Sequence, residues 1–401
     1  MIKQDYKLQF QFDSEKKGQG KDVYLDPAGL QKFYITQSID SFLPTISLKF
    51  KDPQGVVGRS IPSDKRMSNL YVSLITTGDG EEEYNSFYFK TYRRFPDSSH
   101  SYELEGLLDV EGLFSPDRTR GWNKNIVEVM EELASEMTLD GTEISQSLSY
   151  IKSLIQPGCS NIELLTYLRS NLEGKSGEVC YYCFVKNVRD KSYLVFKSLE
   201  EMIAGPIVWK FLYRDIPDVE NDLRPIFEYK VYDNGRAFGI FGSKEQAYSY
   251  FDYSTGTYVS EDTGDIELEY PSLSEKFLID KEDPTDSISF HLGRSNDFTQ
   301  TFRGRAVGQH YRRLNGLVNL WITTWGIQNA APGDVVKLYF PEPDREDAAL
   351  ASQYSGLWLV RKVIHSMGYS FFTRLLLSRC GVDVDDNTSL LEPREKKYSK
   401  R

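Results

Sequence analysis

The sequence predicts a mainly-β fold carrying α+β insertions. Three observations predict it: an aromatic-rich composition, short alternating runs toward both ends, and a change of period near Trp122. The chain holds 26 Tyr and 23 Phe among its 401 residues, side chains that suit the pleated, half-buried surface of a strand. At 40% apolar and 13% aromatic, it has more core-forming material than a disordered chain. Its length exceeds one ordinary hydrophobic core, so two or more domains are expected.

The first region, 1–118, reads as β-structure. Tyr6-Lys-Leu-Gln-Phe-Gln-Phe12 alternates strictly, and Ile46–Phe50 and Leu70–Ile75 follow between Gly/Pro/Asp/Ser loops. Phe87–Tyr92 and Tyr102–Leu108 flank Pro96-Asp-Ser-Ser99, a hairpin by its turn chemistry. The period then changes. Asn125 precedes a helical run from Ile126 to Met137, and Ser160-Asn-Ile-Glu163 is a capping-box pattern opening a second helix to Leu172. With strands Val179–Val185 and Tyr193–Phe196, residues 119–205 form a small α+β unit.

Strands return over 206–236, where Phe227–Tyr232 ends at Asp233-Asn-Gly235. Residues 237–302 are diffuse and read as an insertion of short strands and loops. From 303 the pattern sharpens: a helix from Arg303 to Asn315, a strand Val318–Thr324, the turn Pro332-Gly-Asp334 and a strand Val335–Phe340. A long hairpin pairs Leu357–His365 with Phe371–Arg379, and 381–401 is a polar tail. The first hairpin is echoed in the second. Tyr88-Phe-Lys-Thr-Tyr-Arg-Arg94, a turn and an aliphatic strand closing at Gly112-Leu are matched by Trp358-Leu-Val-Arg-Lys-Val-Ile364, a turn and a leucine-rich strand closing at Gly381-Val. Two copies of one scaffold produce such an echo, and so do two unrelated hairpins.

Composition excludes several roles. A net charge of −11, from 48 basic and 59 acidic residues, opposes general nucleic-acid coating, which needs clustered positive charge. Four cysteines do not make a disulfide scaffold in a chain this long. No run approaches the ~18 apolar residues of a membrane span, and the N-terminus enters a strand directly without a signal-peptide pattern. The expectation is a protein made in a reducing cytoplasm without stable membrane association.

Motifs tested for chemistry yield no catalytic residue, no cofactor site and no metal site. Cys180 and Cys183 sit in a strand-like run, where i and i+3 point to opposite faces, and His100, His291, His310 and His365 have no ligand spacing. Gly174-Lys-Ser176 ends like a phosphate loop, but Arg169 occupies the required upstream glycine position, which makes it a helix-end turn. Asp383-Val-Asp-Asp-Asn387 begins like a calcium loop but has Thr388 and Arg394 where Gly and Glu are required. Arg303, Arg305, Arg312 and Arg313 make one segment basic. They are either a solvated helix face or a subunit contact in which arginines meet carboxylates.

Over 303–380 the ordered set of a polar helix, a strand, Pro332-Gly-Asp-Val-Val-Lys-Leu338, Trp358-Leu-Val-Arg-Lys-Val-Ile-His365 and Phe372-Thr-Arg-Leu-Leu-Leu377 resembles the second tube-like barrel of phage hub proteins. The match is to the central baseplate hub of contractile, T-even-like phages and its relatives, the late-control proteins and the hub region of type VI secretion spikes. Tyr150-Ile-Lys-Ser-Leu-Ile155 and Asn161–Arg169 are similar to that hub's intervening helical segment. The resemblance implies two tube-protein-like β-barrel domains, at 1–118 and at 206–236 plus 303–380. The α+β domain lies between them, the inserted region spans 237–302 and the tail spans 381–401.

It further implies a non-enzymatic homotrimer, a pseudo-sixfold ring between a hexameric tail tube and a trimeric spike. Such a ring contacts other baseplate proteins, passes DNA only in transit and resides in the virion after assembly in the host cytoplasm. An acidic lumen that repels DNA phosphates is expected from the net charge. Two alternatives stay open. One is a carbohydrate-binding or glycan-cleaving tail protein using Phe238, Phe241, Tyr248, Tyr250, Phe251, Tyr253 and Tyr258 as a platform. The other is the hub of a bacterial contractile injection system.

Overall fold

The computed structural model describes residues 5–12, 22–23, 29–52, 67–78, 81–94, 101–115, 118–175, 177–213, 223–233, 247–252, 257–262, 289–293, 308, 312, 315–316, 318–340, 354–368 and 370–379. Seven strands come first: β1 (Asp5–Phe12), β2 (Asp22–Val23), β3 (Leu30–Ser38), β4 (Thr45–Lys51), β5 (Met67–Gly78), β6 (Glu81–Arg94) and β7 (Ser101–Leu108). They lie side by side as β3-β4-β7-β6-β5-β1-β2, every pair antiparallel. Alternation decides which face is covered: Ile46, Leu48 and Phe50 of β4 are buried while the residues between them are half-exposed. Phe10 meets Phe33 edge-on, and Phe87 stacks on Phe89. Aromatic and aliphatic side chains together build the core of this part.

The middle of the chain holds β8 (Arg118–Trp122), α1 (Ile126–Glu136), β9 (Gly141–Ile144), β10 (Leu154–Cys159), α2 (Asn161–Asn171), β11 (Tyr181–Val188), β12 (Lys191–Ser198) and α3 (Leu199–Ile203). The expected caps form. Asn125 Oδ1 accepts from Val127 N at 3.0 Å, and Ser160 and Glu163 exchange both bonds of a capping box. β8 and β10 make a two-stranded ribbon; β11, β12 and β9 make a second small sheet. Arg189 and Asp190 turn between β11 and β12 with φ of 49° and 61°, the left-handed pair that a tight hairpin with native twist requires.

The remaining strands are β13 (Ile207–Tyr213), β14 (Arg224–Ile226), β15 (Glu228–Asp233), β16 (Ala247–Asp252), β17 (Thr257–Asp262), β18 (Ser289–Gly293), β19 (Val318–Trp325), β20 (Val335–Tyr339), β21 (Gly356–Met367) and β22 (Phe371–Arg379). β16–β18 form a separate three-stranded sheet between β15 and β19 in sequence. The others are ordered β14-β13-β20-β21-β22-β19-β15. Phe227, between β14 and β15, donates its N–H to Thr323 O of β19, and Thr324 Oγ1 donates to Pro225 O. One continuous segment thus bridges β13 and β19 and closes the circuit, leaving fewer edges exposed.

The two sets repeat one plan. Strand for strand, β1–β7 correspond to β13, β14, β15, β19, β20, β21 and β22, and neighbours in one set are neighbours in the other. A single strand differs in direction: β13 runs parallel to β14 and β20, whereas β1 runs antiparallel to β2 and β5. The hairpins match by residue. Phe89 faces Leu108 and Leu359 faces Ser378, both partners displaced by the same number of positions. The architecture is therefore mainly β with small helical insertions, as expected. The helix expected from Arg303 to Asn315 lies outside the described residues except at 308, 312 and 315. The turn at 96–99 and the segment 381–401 lie outside them altogether.

Candidate functional site

The two strand sets join where β3 meets β21. These strands pair antiparallel from Tyr34↔Ser366 to Ser38↔Lys362, making a single 14-stranded sheet. The opening for β3 is made by the Pro332-Gly-Asp334 turn. β20 pairs with β21 only over Gly356–Leu359; then Gly333 N donates to Val360 O and Val360 N to Asp334 O. Gly333 holds a φ of 89°, and a Cβ there would lie 3.3 Å from the Phe184 ring, so the turn needs glycine both for conformation and for close packing on β11. Past the turn β21 bulges at Arg361, and β3 takes over its edge. Arg361 O accepts from Ile39 N at 3.0 Å and from Ser38 Oγ at 3.2 Å. Its guanidinium holds Asp40 with both oxygens, at 2.6 and 3.2 Å.

Beneath the joint lies a polar node that ties both sets to the middle region. Gln37 of β3, Asn85 of β6, Asn187 of β11 and Gln328 are all buried. Asn187 Nδ2 donates to Ser86 O at 2.7 Å and to Asn85 Oδ1 at 2.8 Å, and Asn85 Nδ2 donates to Gln328 O at 2.7 Å. Carbonyl oxygens only accept, so Ser86 O and Gln328 O fix the orientation of both amides. Gln37 Oε1 accepts from Asn187 N at 2.8 Å, and Ser192 Oγ donates to Asn187 Oδ1 at 2.8 Å. Such a node is stabilising only when every member is satisfied.

Charges line the same boundary. Burial pushes the Asp334 carboxyl up to about 6, against the opposing pull of Lys186. Burial also acts to raise Glu143, but the ammonium groups of Lys186 and Lys197, 2.6 and 2.8 Å away, hold it below the ordinary carboxylate range. His365 of β21 is fully buried, and burial alone pushes it down to about 3. Its Nδ1 lies 3.3 Å from Thr373 Oγ1. A neutral imidazole thus sits in the strand that carries the joint.

The two described thiols near the joint are not activated. Cys180 packs beside Ile39 and Leu359, whereas Cys183 faces the main core, the opposite-face arrangement expected of a strand. Burial pushes both thiols up to about 12, which keeps them protonated and poorly nucleophilic. Among the described residues no three His, Cys, Asp or Glu side chains cluster as metal ligands. Gly174 N donates to Glu178 O and Lys175 N to Ser147 O, so this segment is a turn after α2.

Of the four arginines, only Arg312 is described, and it is engaged inside the chain. Its Nη2 donates to Arg169 O and Tyr181 O, at 3.0 and 2.9 Å. Arg303, Arg305 and Arg313 lie outside the described residues. Tyr248, Tyr250 and Phe251 fall on β16 and Tyr258 on β17; Phe238, Phe241 and Tyr253 are outside the described residues. The sequence reading passes over β3, the strand that makes the joint. Phe33, Ile35 and Gln37 alternate inward, but the run ends on a buried amide and is bulged between Leu30 and Lys32.

No protein-family model matches the chain, and no curated protein matches it by sequence. Solved structures do. The 43 kDa tail protein of prophage MuSo2 from Shewanella oneidensis aligns over 94% of this chain and 100% of its own, with a TM-score of 0.58 at 11% identity. A tail protein from Neisseria meningitidis MC58 aligns over 95% and 99%, with a TM-score of 0.53 at 10% identity. The fold is that of phage tail proteins. At these identities the likeness establishes architecture alone. Among the described residues no helix is long and apolar enough to cross a membrane.

Proposed function

We propose that the chain is a structural, non-enzymatic subunit of a phage tail baseplate, a hub whose work is assembly. The observation that carries this reading is the duplicated strand plan fused into one sheet through β3 and β21. Two near-equivalent lobes per chain let three copies present six near-equivalent units. That arrangement fits a sixfold tube on one face and a threefold spike on the other. The likeness in fold to prophage tail proteins supports the same reading.

In this proposal 1–118 is one tube-like barrel, 206–236 with 303–380 the other, 119–205 the domain that braces them, and 237–302 an insertion in the second barrel. The partners are two further copies, a tail tube protein, a spike protein and other baseplate proteins, with DNA passing through the centre of the virion tail. The buried joint and the satisfied node suit a part that must hold shape under load rather than turn over a substrate. Mass measurement of the purified full chain with particle images tests the proposal. A three-chain ring with an open centre supports it; a compact monomer, or affinity for glycans lost on replacing Tyr250 and Tyr253, overturns it.

A further inference from the structure

We propose that the outward face of the joined sheet binds the phosphodiester backbone of DNA. The binding needs only one folded chain; its meaning, a genome in transit, rests on the hub reading above.

Directly paired residues share a face of a sheet, and alternate residues of a strand point to opposite faces. One face of the 14-stranded sheet packs into the cores through side chains such as Ile46, Leu48, Val363 and Leu375. The other face can be followed through the joint by its ladders. From Lys230 on β15 the ladder passes Trp321 and Leu376 to Lys362. Arg374 faces Ile364, which faces Thr36 across the joint, and that row ends at Leu107 and Lys90. Lys32 faces Lys49, and Lys51 lies two residues further along β4. Lys7 faces Ile75 on β1 and β5.

From β15 to β1 the described side chains on this face thus include eight cations, none of them buried, and three carboxylates: Glu103, Glu105 and Glu228. The chain as a whole has the opposite balance, 48 basic to 59 acidic residues. The acidic lining expected from the net charge would not come from this face. Two of its carboxylates are answered locally: Glu103 faces Lys49, and Glu105 accepts from the Tyr92 hydroxyl at 2.7 Å. Lys90 also holds Asp109, at 2.8 Å.

Exposed rings stand beside the cations. Tyr34, Tyr92 and Tyr232 each follow a lysine by two positions, on the same face. Lys32 Nζ lies 6.0 Å from the Tyr34 ring centre and Lys230 Nζ 4.8 Å from that of Tyr232. Cations displace the counterions of a phosphate backbone, and rings beside them add stacking surface. Charge and ring together fit DNA better than they fit an acidic polypeptide.

Fluorescence anisotropy of the full chain with a labelled duplex and a labelled single strand tests this. If about four of the cations engage phosphates, affinity falls about 150-fold between 50 and 200 mM salt. Lys51→Glu with Lys230→Glu and Arg374→Glu, all at exposed positions, should weaken binding at least tenfold and flatten the salt slope by about three. Lys152→Glu with Lys175→Glu and Lys191→Glu changes net charge equally on the exposed middle domain and should leave binding within about twofold. Matching thermal midpoints show that both variants fold. No binding at 50 mM salt, equal losses in the two variants, or equally tight binding of polyglutamate overturns the proposal and leaves the ring untouched. A chain that binds DNA in this way but stays monomeric at every concentration overturns the ring reading alone.

Discussion

Replacing Asn187 tests the claim that the polar node holds the three regions together. Its side chain makes three bonds, two as donor to Ser86 O and Asn85 Oδ1 and one as acceptor from Ser192 Oγ. Asn187→Ala removes all three. Asn85 Oδ1 keeps a weaker bond from Asp190 N at 3.4 Å, so one to two polar groups lose their partner. At about 1–3 kcal/mol for each orphaned group, the loss is about 1–6 kcal/mol. Asn187→Asp goes further, because an ionised carboxylate would face two oxygens that cannot donate. Burial and those oxygens raise the folded-state pKa of the new acid above its unfolded value. The folded chain then binds more protons, and stability relative to wild type recovers as pH falls. Urea unfolding of the full chain at pH 7 and pH 5 reads both effects. A change below about 0.5 kcal/mol for the Ala variant, ordinary for a surface site, or an Asp variant that tracks wild type with pH, would refute the reasoning.

His365, pushed down to about 3 by burial, binds its proton in the unfolded chain first. Its contribution to stability therefore falls as pH drops below about 6.5, by up to about 1.4 kcal/mol per unit, and His365→Gln should flatten that slope in urea titrations. Asp334 has the opposite sign. Its folded carboxyl sits at about 6, above the unfolded value of about 3.9, so protonation favours the fold as pH falls through 6. Asp334→Asn should raise the thermal midpoint at pH 7, and an unchanged or lowered midpoint would count against the burial argument. Gly326→Ala places a Cβ into the Phe371 ring, whose residue also accepts the Gly326 N–H. Overpacking of this kind costs about 1–3 kcal/mol, and a midpoint equal to wild type would show that β22 yields freely.

Elements set by local chemistry were legible in the sequence. The Ser160 capping box, the Asn125 cap and the Pro332-Gly-Asp334 turn each depend on a few adjacent residues. The β6–β7 and β21–β22 hairpins carried strong alternation, and their echo marked the repeat. What the sequence hid is long-range or polar. β3 and β21 meet across most of the chain's length, and no local period encodes such a partner. Asn85 and Asn187 lie inside strands where amides read as solvent-facing, yet both are buried. Arg312 reads as surface charge, but its guanidinium is engaged by carbonyls of two other elements. Only the assembled sheet reveals why these polar side chains are inside.

The proposed hub requires three chains making six like units. Mass spectrometry of the intact assembly under native conditions, paired with averaged particle images down the axis, measures this directly. It predicts three subunits, six lobes and a central opening; a single-chain mass, or a closed particle with any other subunit number, contradicts it.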